Sequence, residues 1–141
     1  MAHLILVIED DLTLNRLIVK QLDAQGYQTT GARSWKEADI YLEAHEPHLV
    51  ITDVRLADGD TLLRLPDLVK MQPVVVLTAY GSVRDAVAAL LAGAYEYLVK
   101  PASPDALALV VKRAIDDAAL RSDHLFCRQR LKAREGMADF M

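Results

Sequence analysis

Five short strand-like runs alternate with five stretches of helical spacing, and no other feature of this chain limits its fold as much. Leu4 to Ile8 is wholly apolar, Tyr27 to Ala32 is more polar, and a run from Leu49 that ends on Asp53, Val74 to Leu77 and Tyr95 to Val99 complete the series. Leu14, Leu17, Ile18 and Leu22 recur at helical spacing before Gly26, which predicts an amphipathic helix from about Leu12 to Gln25. Ser34-Trp35-Lys36-Glu37 has the form of a capping box and opens a second helix that stops before Pro47. A third helix is expected to start near Thr61 and to be short, broken or kinked at Pro66. A fourth, rich in alanine and valine, stops near Gly93, and Ser103-Pro104-Asp105 opens a fifth with no breaker before Gly136. Strands joined by helices in this order predict an α/β fold: a doubly wound, five-stranded parallel sheet with right-handed crossovers and an extended C-terminal helix. The polar second run is expected at the outside of the sheet.

The bulk properties fit one globular unit. The chain has 141 residues, 52% of them hydrophobic and 26% charged, and a net charge of −4, which gives no general basis for binding nucleic acid. Cys127 is the single cysteine and has no intramolecular partner. No apolar run approaches the roughly 18–20 residues of a membrane span. With no charged-then-apolar leader before the first strand, a soluble, cytoplasmic protein is expected.

In a parallel sheet the carboxyl ends of the strands share one rim, and ligands bind there. Glu9, Asp10, Asp53, Thr78 and Lys100 all follow or close such ends. Three carboxylates brought together repel by about 4 kcal/mol per close pair at an effective dielectric of 20, so the rim calls for a cation. Magnesium, which takes oxygen ligands and keeps several waters, suits a site with few protein ligands. Asp10 and Asp53 are the expected direct ligands, with Glu9 acting through water. Asp53 is then a candidate nucleophile for phosphoryl transfer to a carboxylate, Lys100 a stabiliser of the phosphoryl oxygens, and Thr78 a hydroxyl donor to the product.

Val7-Ile8-Glu9-Asp10-Asp11, Ile51-Thr52-Asp53, Leu77-Thr78-Ala79 and the run from Gly93 to Pro101 (GAYEYLVKP) together resemble the receiver domain of two-component response regulators. The match covers residues 4 to about 118. The resemblance implies the flavodoxin-like receiver fold and a phosphoryl group taken by Asp53 from a phosphohistidine on a sensor histidine kinase. It also implies magnesium held by Asp10, Asp53 and the backbone carbonyl of Arg55, pairing of Lys100 with the phosphoryl group, and a switch made by Thr78 and Tyr97. Such a domain is a signalling switch rather than an enzyme.

The chain departs from that pattern in two places. Ala57 stands where the family usually has proline and Thr61 where glycine is common, so the loop after Asp53 is expected to be less rigid. The interval from Asp53 to Thr78 is also about one helical turn short, which predicts a stunted third helix. Arg55 and Tyr80 stand two positions past Asp53 and Thr78, where they would flank the phosphoryl group and obstruct an attacking water. His3, His45, His48 and His124 have no metal-ligand spacing with Cys127 and read as surface histidines, and Trp35 is expected to pack at the start of the second helix.

The fifth helix is expected to run about 30 residues, longer than so small a domain can cover. From Arg121 to Glu135 it carries five basic residues against two acids and reads as a linker, giving a receiver over 1–118 and a helical linker over 119–141. Leu120, His124, Cys127 and Leu131 fall at the four-three-four spacing of a coiled-coil seam, which predicts a homodimer. Thr78-Ala79-Tyr80-Gly81-Ser82-Val83 and the Glu135-Gly136-Met137 ending resemble the nitrogen-regulation class of activators. In that class an AAA+ ATPase acting on sigma-54 polymerase and a DNA-binding domain follow the linker, so both are expected beyond residue 141. Two alternatives are a stand-alone receiver that acts by protein binding, and a magnesium-dependent phosphatase with an aspartyl intermediate. The second normally carries an acid where this chain has Arg55.

Overall fold

The structure is a computed structural model that describes residues 3–79, 83–100 and 102–135, with side chains described through Ala119. Its strands and helices follow in the order β1 (Leu4–Ile8), α1 (Leu12–Ala24), β2 (Gln28–Ala32), α2 (Trp35–Ala44), β3 (Leu49–Thr52), β4 (Arg55–Leu56), β5 (Gly59–Asp60), α3 (Thr61–Leu68), β6 (Val74–Thr78), α4 (Val83–Leu91), β7 (Glu96–Val99) and α5 (Pro104–Glu135). The main sheet has the order β2-β1-β3-β6-β7, and every pairing in it is parallel. The polar strand β2 lies at an edge, as expected.

Alternation along the strands divides the core in two. Ile5, Val7, Ile51, Val75 and Leu77 face α1 and α5, where they pack with Ile18, Leu22, Leu107 and Val111. Leu6, Ile8, Val50, Val74 and Val76 face the other way, onto Trp35, Ala38, Leu65 and Ala89 of α2, α3 and α4. Central strands covered on both sides need apolar residues at successive positions, which is why β1, β3 and β6 read as unbroken apolar runs.

The helix starts use short polar side chains. Asp11 accepts the Leu14 N–H, Ser34 the Glu37 N–H, Asp60 the Leu62 N–H and Ser103 the Ala106 N–H. Each satisfies a donor that the first helical turn leaves without a partner. Glu37 reaches back past Ser34 to the Arg33 N–H, one residue beyond the usual capping-box target.

Three features differ from the sequence reading. Leu17 is half exposed, and Asn15 takes its place on the buried stripe of α1 beside Ile18 and Leu22. Pro66 lies inside α3 without ending it, although the helix is only eight residues long. The turn after Asp53 is a small antiparallel hairpin, β4 with β5, and it is densely bonded where a looser loop was expected. Asp58 at its tip accepts the Trp35 and Lys36 N–H groups, one on each carboxylate oxygen at 3.0 Å, and so docks the hairpin onto the start of α2. Gly59 passes so close to Trp35 that a β-carbon there would lie 3.1 Å from the indole ring. Arg64 covers the indole at 4.3 Å and pairs in two-pronged fashion with Asp39.

Candidate functional site

The strand register brings the predicted residues to one rim. Ile8 of β1 pairs with Thr52 of β3, so the residues that follow, Glu9 and Asp53, emerge side by side. Thr78 closes β6 opposite Val99 of β7, and the Lys100 N–H donates to the Thr78 carbonyl at 2.7 Å. The lysine side chain then returns across the rim. Its ammonium donates to the Glu9 carboxylate and, at 2.9 Å, to Asp53 Oδ2.

Asp10 completes the group. One carboxylate oxygen from each of Glu9, Asp10 and Asp53 lies within 4.8 Å of the others, and no other such group of three potential ligands occurs among the described residues. Three carboxylates against one ammonium leave two net negative charges at the rim. An all-oxygen, doubly negative cluster with one exposed and two shielded members fits a hard divalent cation that keeps part of its water shell.

Burial and close partners act together on Glu9, Lys100 and Tyr97. Glu9 is almost fully buried, and the loss of solvent pushes its carboxyl above the ordinary range, while Lys100 and the Asp11 N–H pull the other way. Desolvation acts on Lys100 too, but its bonds to Glu9 and Asp53 outweigh it and hold the ammonium above its usual value. Tyr97 is held above the ordinary phenol value by desolvation and by the charges of Asp85 and Asp53, and its hydrogen bond with Thr78 offsets part of this. The two residues of the implied switch therefore lie close together in this structure, with Thr78 buried and Tyr97 partly so.

Arg55 opens the β4–β5 hairpin. Its N–H donates to Asp53 Oδ1 at 3.3 Å, and its largely exposed guanidinium reaches toward α4, 3.8 Å from Asp85. Tyr80, and the side chains of Leu120, His124, Cys127 and Leu131, lie outside the described residues. The helix that carries the last four is continuous to Glu135.

Two supports of the site were not foreseen. Asn15 Nδ2 donates to the carbonyls of Glu9 and Ala32 at 3.0 and 2.9 Å, fixing the end of β1 against β2. A polar residue on an apolar helical stripe was the only available sign of it. The Thr61 hydroxyl donates to the backbone carbonyl of Asp53 at 2.6 Å, a contact between residues eight apart that no spacing rule announces. His48 is exposed as expected but not idle, since its Nδ1 accepts the Leu4 N–H at 2.9 Å and its ring meets His3 edge-on. A groove of about 610 Å³ lies among His3, His48, Met71, Pro73, Ile115 and Ala119, and none of the clustered carboxylates lines it. The carboxylate cluster sits on the rim of the sheet, apart from this groove.

Residues 5–112 match the response regulator receiver domain family. The chain is 37% identical over 125 residues to the transcriptional regulatory protein GlrR of Escherichia coli K12, an alignment covering 86% of this chain and 28% of that protein. It thus spans little more than a quarter of the length of that relative. NtrX from Brucella abortus superposes with a TM-score of 0.84 at 31% identity, over 93% of this chain and 30% of that one. The beryllofluoride-activated NtrC4 receiver domain dimer superposes with a TM-score of 0.77 at 29% identity, over 82% and 98%. With a family match across most of its length and the fold of solved receivers, this chain belongs to the response regulator receiver domains of two-component systems.

Proposed function

We propose that the chain is a phosphorylation-operated switch that receives a phosphoryl group on Asp53 from a sensor histidine kinase. The observation that carries this reading is the Lys100 ammonium bound at once to Glu9 and Asp53, with Asp10 within ligand distance of both carboxylates. In the transfer an Asp53 carboxylate oxygen attacks phosphorus, the phosphorus–nitrogen bond breaks, and the electron pair leaves with the imidazole nitrogen, which takes up a proton. Lys100 would hold the phosphoryl oxygens once Asp53 no longer offers it a free carboxylate, a role supported by its present bond to Asp53. Magnesium, held by Asp10, Asp53 and the Arg55 carbonyl with Glu9 through water, would offset the charge of the incoming group.

The response runs through Thr78 and Tyr97. A phosphoryl oxygen at Asp53 would offer the Thr78 hydroxyl an acceptor and draw it from the side of Tyr97, which lies close to it. Converting a 1:99 population into 99:1 takes about 5.5 kcal/mol of differential stabilisation, so several such contacts must change together. Arg55 and Tyr80 are assigned to the lifetime of the phosphoryl group, through the access of water.

Residues 1–118 form the receiver and 119–141 the linker, in agreement with a family match ending at 112 and a helix continuing to Glu135. The output is transcriptional and sigma-54-dependent, through AAA+ and DNA-binding domains beyond residue 141, in a cytoplasmic protein. Support comes from the names and lengths of its relatives, a transcriptional regulatory protein and a nitrogen assimilation regulatory protein, each about 28% covered. A homodimer through Leu120, His124, Cys127 and Leu131 is part of the same proposal, and a related receiver is described as a dimer. Light scattering decides it: a monomer mass for residues 1–141 removes the seam.

Incubation with magnesium and a small acyl phosphate, followed by intact mass measurement, tests the acceptor. Wild type is expected to gain one phosphoryl group and Asp53→Asn none. Equal gains in both would remove Asp53 from its role.

A further inference from the structure

Thr61 makes two bonds to the acceptor loop that differ in kind. Its N–H donates to the Val54 carbonyl at 2.9 Å, and its hydroxyl donates to the Asp53 carbonyl at 2.6 Å. Two successive carbonyls of the loop are thus held by one residue. The Asp53 carbonyl accepts a second hydroxyl, from Thr52 at 3.0 Å, and the two hydroxyl oxygens lie 3.4 Å apart. Thr52 and Thr61 are both buried, Thr61 completely, so water does not stand in for either hydroxyl. A β-branched side chain is stiff about its first torsion, and the first position of α3 fixes its backbone, so the hydroxyl direction is set by the fold.

The consequence lies one residue further on. With the carbonyls of residues 53 and 54 fixed, the peptide planes on either side of Val54 are fixed too, and with them the position of the Arg55 α-carbon from which its carbonyl projects. They also set the backbone from which the Asp53 carboxylate projects. We propose that Thr61 is a positioning residue: its hydroxyl holds the acceptor loop so that the Asp53 carboxylate and the Arg55 carbonyl present a preformed pair of ligands to magnesium. This rests on the magnesium site of the function proposed above. Glycine, common in the family at this position, has no hydroxyl to offer, so the device belongs to this chain.

Magnesium binding is measured by calorimetry, without phosphodonor, on wild type, Thr61→Val, Thr61→Ser, Thr61→Gly and Asp53→Asn, with urea midpoints taken in metal-free buffer. Losing a group that orients a metal ligand typically costs about 10–100-fold in affinity. Thr61→Val and Thr61→Gly should therefore both bind magnesium at least about tenfold more weakly. Thr61→Ser, which keeps the hydroxyl, should bind as wild type does. A purely structural role would shift the urea midpoints and leave the affinity of the folded protein unchanged. Wild-type affinity in a folded Thr61→Val or Thr61→Gly overturns the proposal, and so does a Thr61→Ser as weak as Thr61→Val. If Asp53→Asn binds as tightly as wild type, the magnesium site itself is wrong and the positioning role falls with it. If Asp53→Asn loses binding while Thr61→Val keeps it, the positioning role alone fails.

Discussion

Replacing Lys100 by methionine keeps most of the side-chain volume and deletes the charge that joins Glu9 to Asp53. Glu9 is 3% exposed and would be left among two other carboxylates with no cation. Removing one partner of a buried ion pair costs about 3–5 kcal/mol. Lys100 and Asp53 keep 13% and 14% of their side-chain surface in contact with solvent, and Glu9 retains the Asp11 N–H, so the lower end applies. A loss of about 3 kcal/mol, divided by a urea slope of about 1–3 kcal/mol/M, moves the midpoint down by about 1–3 M. Two further effects follow from the charge. Magnesium should raise the midpoint of Lys100→Met more than that of wild type, because it would supply the only cation left at the rim. Acid should narrow the gap as well. The Glu9 carboxyl already titrates above the ordinary range through desolvation, and Lys100 is what restrains it. Without Lys100 the folded-state value rises further above the unfolded one. That raised value contributes stability which is complete below the unfolded value and is lost as pH rises through the folded one. The variant should therefore be weakest near neutral pH and recover toward pH 5. Urea titrations at both pH values, with and without magnesium, would refute this reasoning if wild type and Lys100→Met lost stability in parallel under all four conditions.

Asn15→Leu should cost about 2 kcal/mol in urea unfolding, because the buried Glu9 carbonyl loses its Asn15 donor while the Ala32 carbonyl keeps the Glu9 N–H. A variant as stable as wild type would show that the strand ends need no such tie. His48→Ala should be less stable than wild type at pH 8. His48 is held below its ordinary value by desolvation and by His3, so its contribution is present above about pH 6.5 and fades as pH falls through the folded value. Chemical unfolding from pH 8 to 5 should show the two proteins converging, and a constant gap would remove the Leu4 N–H bond as the cause.

The fold was legible because strands and helices write different periods. Runs such as Leu4 to Ile8 and Val74 to Leu77 need no distant information to be read as covered strands, and parallel pairing then puts their ends on one rim. That is why Glu9, Asp10, Asp53 and Lys100 could be grouped before their distances were known. The supports of the site were hidden for the opposite reason. Asp58 reaches Trp35 across 23 positions and Arg64 reaches Asp39 across 25, and the partners are defined only when the β4–β5 hairpin and α3 come to lie against α2. Thr61 was read as an intruder at a position that favours glycine, and so as a source of looseness. Its hydroxyl became informative only when the hairpin brought it under the Asp53 carbonyl. Leu17 misled because helical spacing admits a broader face than the sheet covers, and the polar Asn15 was the residue the sheet needed.

The central claim is that Asp53 itself carries the phosphoryl group. An aspartyl phosphate is an acyl phosphate, and borohydride reduces it to the alcohol while leaving free carboxylates intact. Protein incubated with magnesium and a small acyl phosphate, reduced with borohydride and sequenced by peptide mass spectrometry, should contain homoserine at position 53 and unaltered aspartate at positions 10 and 11. Homoserine at position 10, or none anywhere in a protein that has gained phosphoryl mass, would contradict the account.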